Sequence, residues 1–316
     1  MTAEHSPAPA PVEPGLQAAR ALAVSLVLWA HLTTVWMASS GMFARRTSWE
    51  TWRLVETNVV FTFSLDHQSG GHLGLLLFFL VSGYVGSLAA DRDTRSTFLL
   101  KRAARLLPAM VLSVLATLVV AYAGRRLGWP AVFGITPDGD RPLHVVFESL
   151  GLAPTVFGHV GLLFVLWTLN IEYYWYLLVG LVIPRGSGRV AVAGTYGLLA
   201  GLVALYEVCT RVPFSATHVR AGDLLYVIFI VIGRWIYLGQ HKVISESASA
   251  IGVVATIGLH IALRWPNETW DIWYVRGHRS LMAIAWAVLI FCLLLRFVRR
   301  RIWRPVALVA DISYGL

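Results

Sequence analysis

The sequence predicts an all-α protein, a polytopic transmembrane helix bundle. Of its 316 residues, 57% are hydrophobic and only 14% are charged, whereas a soluble domain is nearer to about 45–50% apolar and about 25% charged. The apolar residues also collect into runs of about 20 residues, the length at which a helix crosses a bilayer. Helix is the expected conformation because lipid cannot satisfy unpaired backbone groups.

Eight complete apolar runs and the start of a ninth define the predicted spans. We expect them at 16–38, 70–90, 105–124, 160–183, 191–209, 222–238, 248–264 and 280–297. The ninth begins near Pro305 and stops at Leu316, so we expect about nine visible spans and a C-terminus cut short inside a helix. Residues 1–15 contain four prolines and no lysine or arginine. This composition does not fit a signal peptide and predicts a disordered cytoplasmic tail before one domain at 16–316.

The basic residues predict a cytoplasmic N-terminus. Segments on the N-terminal side of the membrane carry fifteen lysines and arginines, with Arg234 and Lys242 among them, against eleven on the other side. Cytoplasmic loops usually hold the excess. The two densest basic segments, 91–105 and 296–304, both lie on the N-terminal side. The net charge of +9 therefore reflects the orientation of the chain in a cell membrane. We expect the lipid bilayer as a partner and no nucleic acid.

The segments predicted to face outwards are rich in aromatic residues. Segment 265–279 contains three tryptophans and one tyrosine. These residues prefer the membrane interface, and their rings also stack on sugars, so both interpretations stay open. The chain has only two cysteines, Cys209 and Cys292, and we expect neither a disulfide framework nor a zinc site.

Arg20 and His31 are ionisable residues inside the first predicted span. Eleven residues at about 100° each make slightly more than three helical turns, so both side chains share a face, about 16 Å apart along the axis. A neutral imidazole can take the proton of a hydroxyl near neutral pH. The alternative is a histidine that only hydrogen-bonds a neighbouring helix.

Arg102 and Arg105 follow the dense basic loop and are three residues apart, on one helical face. The planar guanidinium fork suits phosphate groups. The alternative is simple anchoring of the helix end at the cytoplasmic surface.

Glu172 stands within an apolar run, where a carboxylate needs a partner. Thr168 and Tyr176 lie four residues before and after it, on its own face. Glu172 could orient His31 or hold an arginine, and a purely structural ion pair is the alternative.

Five segments, in order, resemble the acyltransferase 3 family of bacterial membrane acyltransferases. Arg20 and His31 are similar to its Arg-x10-His signature, and GHLGLLLFFLVSGYVGSL to its second conserved helix. The basic loop is similar to its Arg-x-x-Arg…Pro segment, LWTLNIEYYWYL to its Trp-Ser-Leu-x-x-Glu helix, and DISYGL to the start of its Ile-Ser-Tyr-Gly-Leu helix. Gln17 stands where the family commonly has Asp. The matching residues are Arg20, His31, Gly71, Gly74, Phe78, Phe79, Ser82, Gly83, Arg102, Arg105, Pro108, Trp167, Leu169 and Glu172.

The resemblance implies a membrane O-acyltransferase of about ten spans. The donor would be acyl-CoA, with acetyl-CoA as the expected form, reaching the protein from the cytoplasm. The acceptor would be a hydroxyl of a cell-surface glycan, a lipid-linked sugar or another glycosylated metabolite. His31 and Glu172 would be the catalytic residues, and Arg20, Arg102 and Arg105 would bind the donor phosphates. The resemblance suggests no metal and no tightly bound cofactor.

Two other functions compete with acyl transfer. A transporter or flippase of a lipid-linked saccharide would also use buried ionisable groups, but transporters often show two matching halves and this chain shows no repeat. A non-catalytic scaffold would give no reason for Arg20 and His31 to share a face.

Overall fold

A computed structural model describes residues 13–43, 67–126, 166–183, 188–211, 215–264, 278–298 and 302–315. Nearly all of these residues are helical, which confirms the predicted all-α class. Each predicted apolar run coincides with a helix. The helices are α1 (Pro14–Phe43), α2 (His67–Arg92), α3 (Arg95–Arg126), α4 (Leu166–Leu181), α5 (Gly188–Arg211), α6 (Ser215–Gln240), α7 (Glu246–Arg264), α8 (His278–Phe297) and α9 (Arg304–Gly315).

Among the residues that the structure describes, four helical segments are long and apolar enough to cross a membrane. They are Gly71–Arg92, Gly188–Arg211, Gly222–Gln240 and Glu246–Arg264. At 1.5 Å per residue they measure roughly 30 Å or more, which matches the hydrocarbon core. Pro14–Ala30 and Leu281–Phe297 are shorter apolar helices. A membrane helical protein is thus confirmed, while the count of nine spans and the single domain at 16–316 stay predictions.

The chain divides into two compact units. The first comprises residues 1–78 and 277–314, and the second residues 79–276 with 315–316, so the division falls inside α2. Within the first unit, α1 packs closely on α8 and on the start of α2. A Cβ added to Gly15 would lie 2.6 Å from the Leu294 carbonyl oxygen, and one added to Gly74 would lie 2.8 Å from that of Ala23.

In the second unit, α6 is the central helix, with a continuously buried stretch at 225–238. It crosses α2 where Gly83 meets Gly233. A Cβ on Gly83 would overlap the Ile230 carbonyl, and one on Gly233 would overlap the Leu80 carbonyl. The two backbones therefore touch, and α5 and α7 pack against α6 while exposing most of their outer faces.

Several helix ends of the second unit meet at one end, which we call the basic end. Arg95 at the start of α3 donates a hydrogen bond of 3.3 Å to the Leu181 carbonyl at the end of α4. Tyr237 near the end of α6 donates one of 2.7 Å to Asp91 Oδ2 near the end of α2. Gly188 at the start of α5 packs on the loop after α6. The ends of α2, α4 and α6 therefore lie at the same end of this unit as the starts of α3 and α5. The predicted topology requires these helix directions.

Candidate active site

Glu172, a predicted catalytic residue, is 1% exposed in the middle of α4. Its Oε1 accepts a hydrogen bond of 3.0 Å from Ser82 Oγ on α2 and a second one from the Tyr176 hydroxyl. Tyr176 lies one turn further along α4, so the predicted i+4 neighbour is confirmed. The other carboxyl oxygen, Oε2, is buried and has no hydrogen-bond partner among the residues that the structure describes.

Trp175 holds α2 in place beside Glu172. Its indole Nε1 donates a hydrogen bond of 3.1 Å to the Ser82 carbonyl. The same ring packs against Gly86, where an added Cβ would lie 2.6 Å from Nε1. Ser82 is adjacent to Gly83, whose backbone contact with α6 leaves α2 little freedom to shift. The Ser82 hydroxyl is thus fixed from both sides, which orients the Glu172 carboxylate.

Arg102 on α3 belongs to the same cluster and is 9% exposed. Its guanidinium lies 5.0 Å from the centre of the Tyr176 ring and 5.6 Å from that of Phe98. These are cation–π distances. Its Nε is buried without a hydrogen-bond partner, and no ion pair joins Arg102 to Glu172 among the contacts of the described residues. A buried cation and a buried carboxylate therefore share Tyr176, one at the ring face and the other at the hydroxyl.

The hydrogen bond from Arg95 to Leu181 sets the depth of this cluster. Arg102 is seven residues beyond Arg95, about 10 Å along α3, and Glu172 is nine residues before Leu181, about 14 Å along α4. Because α3 and α4 run in opposite directions, both residues lie on the same side of that contact. Arg102 packs on Phe98 and Tyr176, each about one turn nearer the basic end than Arg102 and Glu172 respectively, so its guanidinium lies on the basic-end side of the carboxylate.

The other basic residues at the start of α3 differ in their surroundings. Lys101 points to the surface and pairs with Asp93 at 2.7 Å. Arg105 is half-buried and, like Arg102, interacts electrostatically with Tyr176. The structure thus brings Arg102, Arg105 and Glu172 together around one tyrosine.

The remaining predicted site residues, Arg20 and His31, belong to α1 in the first unit. Arg20 is 6% exposed, and α1 is an unbroken helix from Pro14 to Phe43. Its continuity confirms that the two positions share a face about 16 Å apart. The His31 side chain and the aromatic segment at 265–277 lie outside the described residues, so their predicted roles stay predictions.

Sequence reasoning missed several buried ionisable residues, and Arg234 and His260 are the two most deeply buried of them. Arg234 was assigned to the cytoplasmic-side basic residues, but it is 3% exposed within α6. Its Nε donates to Thr195 Oγ1 at 2.9 Å and its Nη1 to Ser87 Oγ at 3.4 Å. His260 on α7 is 1% exposed, and its Nδ1 lies 3.0 Å from the Leu225 carbonyl oxygen. Their positions inside apolar runs were the signal that could have identified both.

Comparison with known proteins supports the family that the sequence motifs resemble. Residues 13–316 match the acyltransferase 3 family (Acyl_transf_3), described as an acyltransferase domain. No curated protein and no solved structure matches the chain. The family match covers nearly the whole chain, including the apolar helices and the segments that carry Arg20, Arg102 and Glu172. The chain therefore belongs to the acyltransferase 3 family and is a membrane acyltransferase.

Proposed function

We propose that the protein is an O-acyltransferase that moves an acyl group, acetyl in our proposal, from acyl-CoA to a hydroxyl. The acceptor is a cell-surface glycan, a lipid-linked sugar or a glycosylated metabolite. The observation that carries this proposal is the cluster of Arg102, Tyr176 and Glu172, buried in a chain of an acyltransferase family. Within the described residues, it combines a cation that no carboxylate neutralises with a carboxylate oxygen that no donor occupies.

The reaction requires one proton to be moved. The acceptor oxygen attacks the thioester carbonyl carbon, so a C–O bond forms as the C–S bond breaks. His31 takes the proton of the acceptor hydroxyl and returns it to the departing thiolate. The products are the O-acyl acceptor and CoA with a free thiol, and no further reactant is needed. A positioned base of this kind contributes about 10²–10⁴-fold to the rate.

The surroundings of Arg102 favour a phosphate ligand. Aromatic rings hold its guanidinium, and they leave its positive charge without a carboxylate partner. A buried guanidinium is stabilised most by an anion that accepts its N–H groups. We assign the donor phosphates to Arg102 and Arg105, and Arg20 stays a proposed donor-binding residue.

The length of the donor agrees with the spacing on α1. About 13 bonds separate the pyrophosphate of CoA from the thioester sulfur, and an extended chain gains about 3.5 Å for every three bonds, so the arm spans about 15 Å. The helical rise from Arg20 to His31 is about 16 Å. A phosphate at the level of Arg20 would thus bring the thioester to the level of His31.

The membrane context of the proposal is a cell membrane with the N-terminus in the cytoplasm. The dense basic segments support this orientation, and they account for the positive charge without nucleic acid. The donor would enter from the basic end. The aromatic segment at 265–279 is our candidate for stacking on the sugar of the acceptor. We propose no metal and no tightly bound cofactor.

The test is acyl transfer by the purified protein in lipid nanodiscs, with radiolabelled acetyl-CoA and a panel of candidate glycans. Arg102→Gln should raise the KM for acetyl-CoA about 10–100-fold, because a hydrogen bond to a charged group contributes about 1.5–3 kcal/mol. His31→Gln should lower kcat about 10²–10⁴-fold while donor binding persists. Arg189→Gln, at an exposed position at the start of α5, is the matched charge control and should change neither.

If the Arg102→Gln variant kept the wild-type KM for acetyl-CoA, Arg102 would only anchor the helix end at the membrane surface. If the His31→Gln variant transferred acyl groups at nearly the wild-type rate, His31 would be only a packing residue. Absence of both acetyl-CoA hydrolysis and transfer by the wild-type protein would refute the proposed donor.

A further inference from the structure

The two carboxyl oxygens of Glu172 are not equivalent. Oε1 accepts hydrogen bonds from both Ser82 and Tyr176, whereas Oε2 is buried and receives none from the described part of the chain. A buried polar atom without a partner destabilises the folded protein, and more so when it carries charge. A ligand that presents an O–H or N–H group to Oε2 would recover this energy. The cluster therefore favours a hydrogen-bond donor at one defined oxygen.

A second unused atom limits the kind of ligand. Arg102 Nε is also buried without a partner, and the guanidinium lies 5.0 Å from the centre of the tyrosine ring whose hydroxyl holds Glu172. The cation and the carboxylate are thus about one tyrosine side chain apart. A matching ligand carries an anionic oxygen and, a few bonds away, a hydroxyl or an amide N–H.

The order of these two groups along the ligand follows from their depth. From the basic end, Arg102 comes first and Glu172 follows, because the guanidinium packs on the Phe98 and Tyr176 rings while the carboxylate meets the Tyr176 hydroxyl, one turn further in along α4. A ligand that enters from this end therefore meets the cation with its anionic part and the carboxylate with the part that follows. In acyl-CoA, the pantoyl hydroxyl and the first amide N–H follow the pyrophosphate within about seven bonds, or about 8 Å of extended chain.

We infer that Glu172 Oε2 binds the first hydrogen-bond donors of the pantetheine arm, the pantoyl hydroxyl and the adjacent amide, while Arg102 holds the phosphate. Ser82 and Tyr176 are positioning residues, because they occupy Oε1 and so direct Oε2 towards the arm. This inference rests on the proposed acyl-CoA donor. It gives Glu172 a role in recognising the donor rather than in moving the proton of the acceptor.

The experiment compares two donors that share a thioester. Acetyl-CoA carries the phosphates and the pantoyl group, whereas S-acetyl-N-acetylcysteamine keeps only the thioester and the last amide. Glu172→Gln keeps an acceptor oxygen for Ser82 and Tyr176 but places an NH₂ group where Oε2 stood. It should raise the KM for acetyl-CoA and the Kd for CoA about 10–100-fold. Its kcat, and its kcat/KM with the truncated donor, should stay within about threefold of wild type, since the truncated donor lacks the groups that Glu172 contacts.

The positioning residues give a second, independent measurement. Tyr176→Phe and Ser82→Ala should each raise the KM for acetyl-CoA about 3–10-fold, because each removes one hydrogen bond that orients the carboxylate. Ser82→Thr retains the hydroxyl and should restore most of the affinity. Tyr206→Phe is the matched control, since it removes another buried hydroxyl, one that donates to the Leu263 carbonyl at 2.7 Å. It should leave donor binding unchanged.

The outcomes separate this inference from the proposed function. If Glu172→Gln lowered kcat equally with both donors, Glu172 would act at the reacting atoms, and the inference would be wrong while acyl transfer stood. An unchanged Kd for CoA in Glu172→Gln and in Tyr176→Phe would also overturn it. If the Gln variant did not fold, as judged by gel filtration, Tyr176→Phe would decide with the same donor pair. A wild-type protein that bound CoA but transferred no acyl group would overturn the proposed function alone.

Discussion

Gly83→Ala tests the helix crossing that places Ser82 beside Glu172. A Cβ at this position would overlap the Ile230 carbonyl oxygen and would lie 3.1 Å from the Gly233 Cα. Both obstacles are backbone atoms, so no side chain can rotate to make room. The helices α2 and α6 must move apart, which also shifts Ser82 relative to the carboxylate that it holds.

The magnitude follows from two opposing effects. Overpacking of a buried site costs about 1–3 kcal/mol, and a clash with rigid backbone belongs near the top of that range. Alanine gains about 1 kcal/mol over glycine in helix propensity. The net destabilisation should therefore be about 2 kcal/mol.

Gly197→Ala supplies the control, because an added Cβ there meets nothing within 4 Å. This change should be neutral or stabilising by up to about 1 kcal/mol. Thermal unfolding in detergent should then show Gly83→Ala melting about 3–5 °C below Gly197→Ala. Combining Gly83→Ala with Gly233→Ala should cost less than the sum of the two, since one separation of the helices accommodates both methyl groups. Equal melting temperatures for the Gly83→Ala and Gly197→Ala proteins would refute the close crossing.

The remaining predictions concern a buried charge and the topology. Arg234→Leu should leave the melting temperature unchanged or raise it, because removing a desolvated charge offsets its hydrogen bonds to hydroxyls, and Thr195 keeps its bond of 2.7 Å to the Ala191 carbonyl. A fall of more than about 2 kcal/mol in unfolding free energy would instead show that the arginine ties the helices together. In a protein whose two native cysteines are replaced by alanine, a cysteine at Ser96 should react with a membrane-impermeant maleimide only from the cytoplasmic side, and one at Arg211 only from outside. The opposite pattern would invert the predicted orientation.

Some of the candidate site could be predicted from the sequence because it depends on local helical geometry. Tyr176 lies one turn from Glu172, and the i+4 spacing alone placed it against that carboxylate. Arg102 and Arg105, three residues apart, were expected on one face, and both interact electrostatically with the same tyrosine. In each case the shared face is determined within one or two turns of one helix, whereas the approach of the two arginines on α3 to Tyr176 on α4 depends on how the helices pack.

The contact between Ser82 and Glu172 could not be predicted from local helical geometry. Ser82 was named only as a member of a motif, because nothing in its own helix shows that its hydroxyl meets a carboxylate 90 residues away. That contact depends on the angle at which α2 passes α4 and on the glycines that let α2 touch α6. Arg234 was assigned to the membrane surface for a related reason: a count of charges along the chain does not show which ones a neighbouring helix surrounds.

The helices of the described residues and the family could be predicted from the sequence, because the length of an apolar run and the order of local motifs are properties of the chain alone. The assembled helices were needed to show which oxygen of Glu172 is occupied, that Arg102 rests on aromatic rings instead of pairing with that carboxylate, and where glycines bring two backbones together. These features depend on packing between helices distant in sequence, and small residues and hydrogen-bonding side chains fix that packing only once the helices are assembled.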